Sequence, residues 1–165
     1  MLVPTLRRVW AIYPADNPTW AAAARTAREA APALQLELVD RPARTAEEVT
    51  QALDALRPGD GLLPPMSPVF DIAGQIWYRS ARVPAIFASA FWVRHGALVS
   101  YGSDFYAEGV QAARLVVKIL RGARTQDLPV ETTNRIELAI NLKTAKALGL
   151  TIPPSVLRRA DQVIE

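Results

Sequence analysis

Apolar and polar positions along this chain follow two periods, and the switches between them delimit its elements. Val9-Trp10-Ala11-Ile12-Tyr13 is a continuous apolar run stopped by Pro14, the pattern of a buried strand. Asn17 offers an N-cap and Pro18 a first helical residue, so the Ala-rich stretch 19–31 is predicted to be a helix. Residues 34–39 alternate apolar with polar, which predicts a strand near a sheet edge. Thr45-Ala46-Glu47-Glu48 is a capping box that opens a helix to about residue 56. After the Pro58-Gly59-Asp60-Gly61 turn, a short strand over 61–63 ends at Pro64-Pro65. Ser67-Pro68 repeats the cap-plus-proline device and predicts a helix to about residue 81. Residues 83–88 and 97–101 read as strands, the second ended by Gly102. A long helix is predicted over 103–121. Its polar residues Glu108, Gln111, Arg114, Lys118 and Arg121 recur at spacings of three and four, and Gly122 stops it. A strand over 136–140, a short helix over 143–148 closed by Gly149, and a last helix from Ser155 complete the chain.

Strands that alternate with helices at this spacing predict an α/β fold, with a mostly parallel sheet and helices on both faces. Composition agrees with a packed domain. Of 165 residues, 50% are hydrophobic and 21% charged, which excludes disorder as the global state. Nineteen basic residues against 16 acidic ones leave a net charge of +3, too diffuse for a nucleic-acid footprint. Cys is absent, which excludes disulfides, thiolate metal sites and a Cys nucleophile. His95 is the single imidazole and reads as a surface loop residue. No phosphate-binding or dinucleotide-binding glycine motif occurs, and no acid–base pair is marked among Asp16, Asp71 and Asp104. The expectation is a protein that is not an enzyme and needs no cofactor or metal. Trp10, Trp20 and Trp77 read as packing residues. Arg7, Arg8, Arg158 and Arg159 read as solvated.

Ligands of open parallel sheets sit beyond the carboxyl ends of the strands. Here those ends are Pro14-Ala15-Asp16-Asn17, Pro65-Met66-Ser67, Ser89-Ala90-Phe91-Trp92 and Tyr101-Gly102-Ser103-Asp104. Three lead straight into a helix N-terminus, whose free N–H groups suit a small anion. Phe91, Trp92 and Tyr101 add aromatic surface. The pattern predicts a pocket for a small molecule with an anionic group and an apolar part.

Gly96-Ala97-Leu98-Val99-Ser100-Tyr101-Gly102-Ser103-Asp104-Phe105 is similar to a G-x-L-x-S-Y-G-x-D-[FY] motif. The stretches 112–123, 127–131 and 140–165, the last including Ile140-Asn141-Leu142-Lys143-Thr144-Ala145, carry the likeness onward. From about Arg8 the chain thus resembles the second half of the tryptophan-binding-like substrate-binding proteins of ABC transporters. The resemblance implies one lobe of a bilobed periplasmic binding protein plus crossing segments, with an amino acid held between the lobes. It implies a linker-like or disordered stretch over 1–8, a ligand-binding lobe over 9–102, and a long helix, crossing segment and return strand with C-terminal helices over 103–165. It implies cleft-facing ligand residues Asn17, Ser67, Ser89, Phe91, Tyr101 and Asp104. Where family members commonly carry Asp or Asn near Ser67, this chain has Pro64-Pro65-Met66-Ser67-Pro68.

The implied partners are a small solute and an ABC permease, in the periplasm. The N-terminus carries no apolar signal region and the sequence no first lobe, so a cytoplasmic location is expected if this is the complete product. The long helix, which docks on the first lobe in such folds, is then expected to expose Val110, Ala113, Val117 and Leu120. That face invites a homo-oligomer, and with it an alternative role as a stand-alone interaction or small-ligand-sensing domain.

Overall fold

A computed structural model describes residue 3 and residues 5–63, 83–132 and 135–165. The predicted helix at 67–81, with Ser67, Asp71 and Trp77, lies outside the described residues.

The elements, in chain order, are β1 (Arg8–Pro14), α1 (Pro18–Ala30), β2 (Glu37–Ala43), α2 (Ala46–Asp54), β3 (Asp60–Leu63) and β4 (Ile86–Phe87). They continue as α3 (Ala90–Arg94), β5 (Val99–Ser103), α4 (Phe105–Leu120), β6 (Ile136–Asn141), α5 (Leu142–Ala147), α6 (Pro154–Leu157) and β7 (Gln162–Ile164).

Two strand groups, β2-β1-β3 and β4-β5-β6-β7, are stitched together. The stitch is a parallel bridge between Leu62 and Ala85, where the Leu62 N–H donates to the Pro84 carbonyl at 2.8 Å. Every described strand pairing is parallel except β5–β6. The mostly parallel α/β architecture expected from the sequence is therefore present. The order β2-β1-β3 reverses direction at β1, which makes the carboxyl ends of β1 and β3 a topological switch point.

Helices cover both faces. On one, α2 and α3 bury Val49, Leu53, Ala90 and Val93 together with Trp10, Ile12 and Leu62. On the other, Ala27 and Ala30 of α1 line an apolar groove together with Val9 and Leu38. A second cluster, Leu98, Val99, Ile140, Ala145 and Ile152, anchors the C-terminal segment to β5 and β6. Because β7 pairs in parallel with β6, the chain's own end extends its own sheet.

Several boundaries differ from the sequence reading for identifiable reasons. The edge strand starts at Glu37 rather than Leu34. Residues Pro32–Leu34 form a single 3-10 turn that Gln35 ends in a left-handed conformation, φ 56°. The strand then runs through Pro42, which an edge position tolerates. The strand expected over 83–88 shrinks to Ile86–Phe87, because Pro84 contributes only its carbonyl to the neighbouring strand. Gly102 does not end β5, which continues to Ser103. One correction concerns Arg8. Expected in a solvated, linker-like terminus, it is the first residue of β1 and pairs with the buried Asp60. Its neighbours are engaged too: the Glu37 N–H donates to the Arg7 carbonyl at 2.8 Å.

Candidate functional site

The ends of β1, β4 and β5 each hand over to a helix through a capping side chain. After β1, the Asn17 amide oxygen accepts from the N–H groups of Thr19 and Trp20 at 3.0 and 3.3 Å. After β4, the buried Ser89 hydroxyl accepts from the Phe91 N–H at 3.3 Å and opens α3. After β5, Asp104 Oδ1 accepts from the Ala107 N–H at 3.0 Å and opens α4. A carboxylate there also meets the positive end of the helix dipole.

Three of the sequence-predicted site residues, Ser89, Phe91 and Asp104, come together. They line a cleft of about 670 Å³ with Trp92, Arg94, Tyr106, Arg135, Glu137, Asp161 and Gln162. Phe91 is 56% exposed. Its ring stands edge-on to Trp92 at 5.4 Å and lies 4.3 Å from the His95 ring. His95 Nδ1 is 2.8 Å from the Phe91 carbonyl, so the surface imidazole steadies this aromatic.

The polar side of the cleft is set by the antiparallel pairing of β5 with β6. Its last register pair, Ser103 with Ile136, puts Arg135 opposite Asp104. The Asp104 N–H donates to the Arg135 carbonyl at 3.1 Å, and Arg135 Nε reaches Asp104 Oδ2 at 3.0 Å. Further along the wall, Arg94 donates to Gln162 Oε1 at 3.0 Å, and Gln162 Nε2 donates to Glu137 at 2.9 Å. Asp161 accepts from the Leu138 N–H at 2.8 Å.

Two further sequence-predicted residues, Tyr101 and Asn17, lie elsewhere. Tyr101 lines a separate apolar cavity of about 250 Å³, with Trp20 of α1 and with Tyr13, Leu63 and Phe87 at the ends of β1, β3 and β4. That volume falls below the roughly 300 Å³ of ordinary ligand pockets. A groove of about 620 Å³ beside α1 is lined by Leu34, Leu36, Leu38 and other apolar residues, and carries no charged side chain. Asn17 lines none of these three concavities. Arg135 and Tyr106 were missed by the sequence reading. The signal for Arg135 was the return strand itself: once that strand is antiparallel to β5, its leading residue must face the residue that caps α4.

This architecture, a mostly parallel sheet with helices on both faces, is that of a periplasmic-binding-protein domain. The family profile described as "ABC transporter substrate binding protein" matches residues 1–164, and the chain belongs to that family. A curated relative, the tyrosine-binding protein of Clostridioides difficile (strain R20291), is 26% identical over 157 residues, 90% of this chain and 44% of the relative. A conserved domain protein from Vibrio cholerae superposes with a TM-score of 0.79 at 26% identity, over 98% of this chain and 56% of that one. The ABC domain from Streptococcus pneumonia in complex with L-Trp superposes with a TM-score of 0.77 at 24% identity, over 99% and 58%. The chain thus spans about half the length of the relatives it matches.

Proposed function

We propose that this chain is the ligand-holding lobe of the substrate-binding component of an ABC importer, and that its ligand is an amino acid with an aromatic side chain. The observation that carries the reading is the cleft in which Ser89, Phe91 and Asp104 meet. It offers charge of both signs, as an amino acid's head group requires, beside exposed aromatic rings, as an apolar side chain requires. The relative named for tyrosine binding supports the aromatic class. In this reading the solute is passed to an ABC permease, and the protein works outside the cytoplasmic membrane, in the periplasm.

A single lobe presents one wall of such a cleft, so affinity is expected in the range of about 0.1–1 mM, or roughly −4 to −5.5 kcal/mol. Titration calorimetry and thermal shift with L-Phe, L-Tyr, L-Trp, L-Lys, L-Glu and a sugar test the reading. Saturable binding confined to the aromatic amino acids is expected. Binding of the sugar alone, or of nothing, overturns it.

A second reading has its own observation. No residue of α4 is buried, and Tyr106 and Leu120 are 84% and 81% exposed. Under this reading α4 joins copies of the chain through Val110, Ala113, Val117 and Leu120, and the domain acts as an oligomeric interaction or ligand-sensing module. Light scattering tests it: a mass that stays at one chain at every concentration sinks it.

A further inference from the structure

We propose that two copies of the chain exchange their α4 helices, each helix lying in the apolar groove beside α1 of the other copy. The proposal rests on the oligomeric reading above and deepens it by naming the surface that receives the helix.

Two apolar surfaces of this chain are left open. The first is a stripe of α4, on which Tyr106, Val110, Ala113, Val117 and Leu120 follow spacings of three and four. Even its central residues Val110 and Val117 are 49% and 43% exposed. The second is the groove of about 620 Å³. Among the described residues, no charged side chain lines it and none of its lining comes from α4. Leu34 and Ile86 stand in it exposed to solvent.

The two surfaces match in pattern and in size. An amphipathic helix in a hydrophobic groove is anchored at positions i, i+3 or i+4, and i+7, which is the spacing of this stripe. Glu108 and Lys118 fall on the other side of the helix, so seating the stripe leaves both charges in water. The 16 residues of α4 make a helix about 24 Å long. The groove reaches from Leu38 on β2 to Leu138 on β6. That crosses six neighbouring strands, or about 24 Å at roughly 4.8 Å between neighbours.

Area decides in favour of a reciprocal exchange. The half of such a helix that faces a groove presents roughly 400 Å². One helix in one groove therefore buries about 800 Å² in all, the size of a weak contact. Two helices in two grooves bury about 1,600 Å², the size of a stable interface. The connectivity allows it. Val99 and Tyr101 of β5 line the groove, and α4 starts directly after that strand. The helix that is given and the groove that receives thus meet at one strand. A two-fold axis beside the end of β5 serves both dockings and leaves no open surface for a third copy.

Sedimentation equilibrium of the full chain over a concentration series tests the exchange. Leu34→Glu and Ile86→Glu each place a charge in the groove, and Val117→Lys places one on the stripe. All three side chains are exposed. Far-UV circular dichroism checks that the variants are folded, and either groove variant serves if the other is not.

The wild type is expected to approach twice 18.0 kDa and to stop there. Each variant alone is expected to associate at least tenfold more weakly. An equimolar mixture of a groove variant with Val117→Lys is expected to form dimers at concentrations where neither does so alone. The mixed pair keeps one intact docking, and its other docking brings Glu and Lys together. A wild type that stays at one chain at every concentration overturns the oligomeric reading, and the exchange with it. Association that the groove variants leave unchanged overturns the exchange and leaves the oligomeric reading standing. So does growth past two chains, or a mixture that associates no better than its components.

Discussion

Asp60 and Arg8, 52 residues apart, form a two-point ion pair across neighbouring parallel strands. Arg8 Nε meets Oδ1 at 2.7 Å and Nη2 meets Oδ2 at 3.0 Å. The same carboxylate accepts from Trp10 Nε1 at 3.1 Å and from the Arg57 N–H at 2.8 Å. Asp60 is 3% exposed. It therefore ties β1, β3 and the turn before β3 through one buried group. Asp60→Ala strands an indole N–H and a backbone N–H away from water. We expect a loss of about 2–4 kcal/mol, read as a lower urea midpoint with an unchanged slope. An unaltered midpoint refutes the structural role.

The same group sets a direction for acid stability. Burial works to raise the Asp60 pKa, but the hydrogen bonds from Arg8, Arg57 and Trp10 outweigh it, and the folded value lies below that of an ordinary Asp. A depressed carboxylate stabilises the fold fully above its unfolded pKa of about 3.9 and loses that contribution as pH falls through the folded value. The wild type is thus expected to lose stability in acid more steeply than Asp60→Asn: the gap between the two curves is constant well above pH 4 and closes as the pH falls below it. Parallel curves across that range contradict the assignment.

Gly102 is required by contact rather than by dihedral freedom. A Cβ at this position would press into the Ala88 carbonyl, with its carbon at 2.7 Å and the Ala88 Cα at 3.0 Å. The obstacle is backbone, so it cannot rotate away as a side-chain tip would. Because Ala88 precedes Ser89, the displacement would be passed to the start of α3 and the cleft. Gly102→Ala is expected to lower the melting temperature by several degrees, as a strained core substitution does, and to weaken any ligand bound beside Ser89. Calorimetric melting checks the first effect and titration the second. A wild-type melting temperature would show that the strands part without cost.

The chain's legibility divides along physical lines. Elements with strong local punctuation were readable: Asn17-Pro18 before α1, the Thr45 box before α2 and Gly122 after α4 all act where expected. In the Thr45 box the return bond from Glu48 goes to the Arg44 N–H rather than to that of Thr45, a one-residue shift invisible to spacing. Elements decided by tertiary pairing were not readable. β7 is three residues long, and Gln162–Ile164 acquires its strand form only from β6. Asp60 looked like a turn residue because its side-chain partners Arg8 and Trp10 lie 50 or more positions away. Half of the six predicted ligand residues gather in one cleft because strand-end loops of a parallel sheet converge by topology. Arg135 escaped notice because its placement depends on the one antiparallel pairing in the described sheet.

The bare face of α4 leads to the last prediction. Tyr106, Val110, Ala113, Val117 and Leu120 follow spacings of three and four, so they fall on one stripe of the helix. The flank beside it is engaged: Gln111 donates to Glu131 at 2.7 Å, and Arg114 lies 3.7 Å from the same carboxylate. A stripe of this kind lowers its free energy by meeting another apolar surface. At high concentration the chain is therefore expected to scatter light as a species larger than 18.0 kDa. The double variant Tyr106→Ser, Leu120→Glu should return it to that mass. No side chain of α4 is buried within its own chain, so the variant should keep its helical circular dichroism and lose at most about 1 kcal/mol of stability. If the double variant associates as the wild type does, the contact lies on another face. If it unfolds, α4 carries packing that its exposure does not reveal.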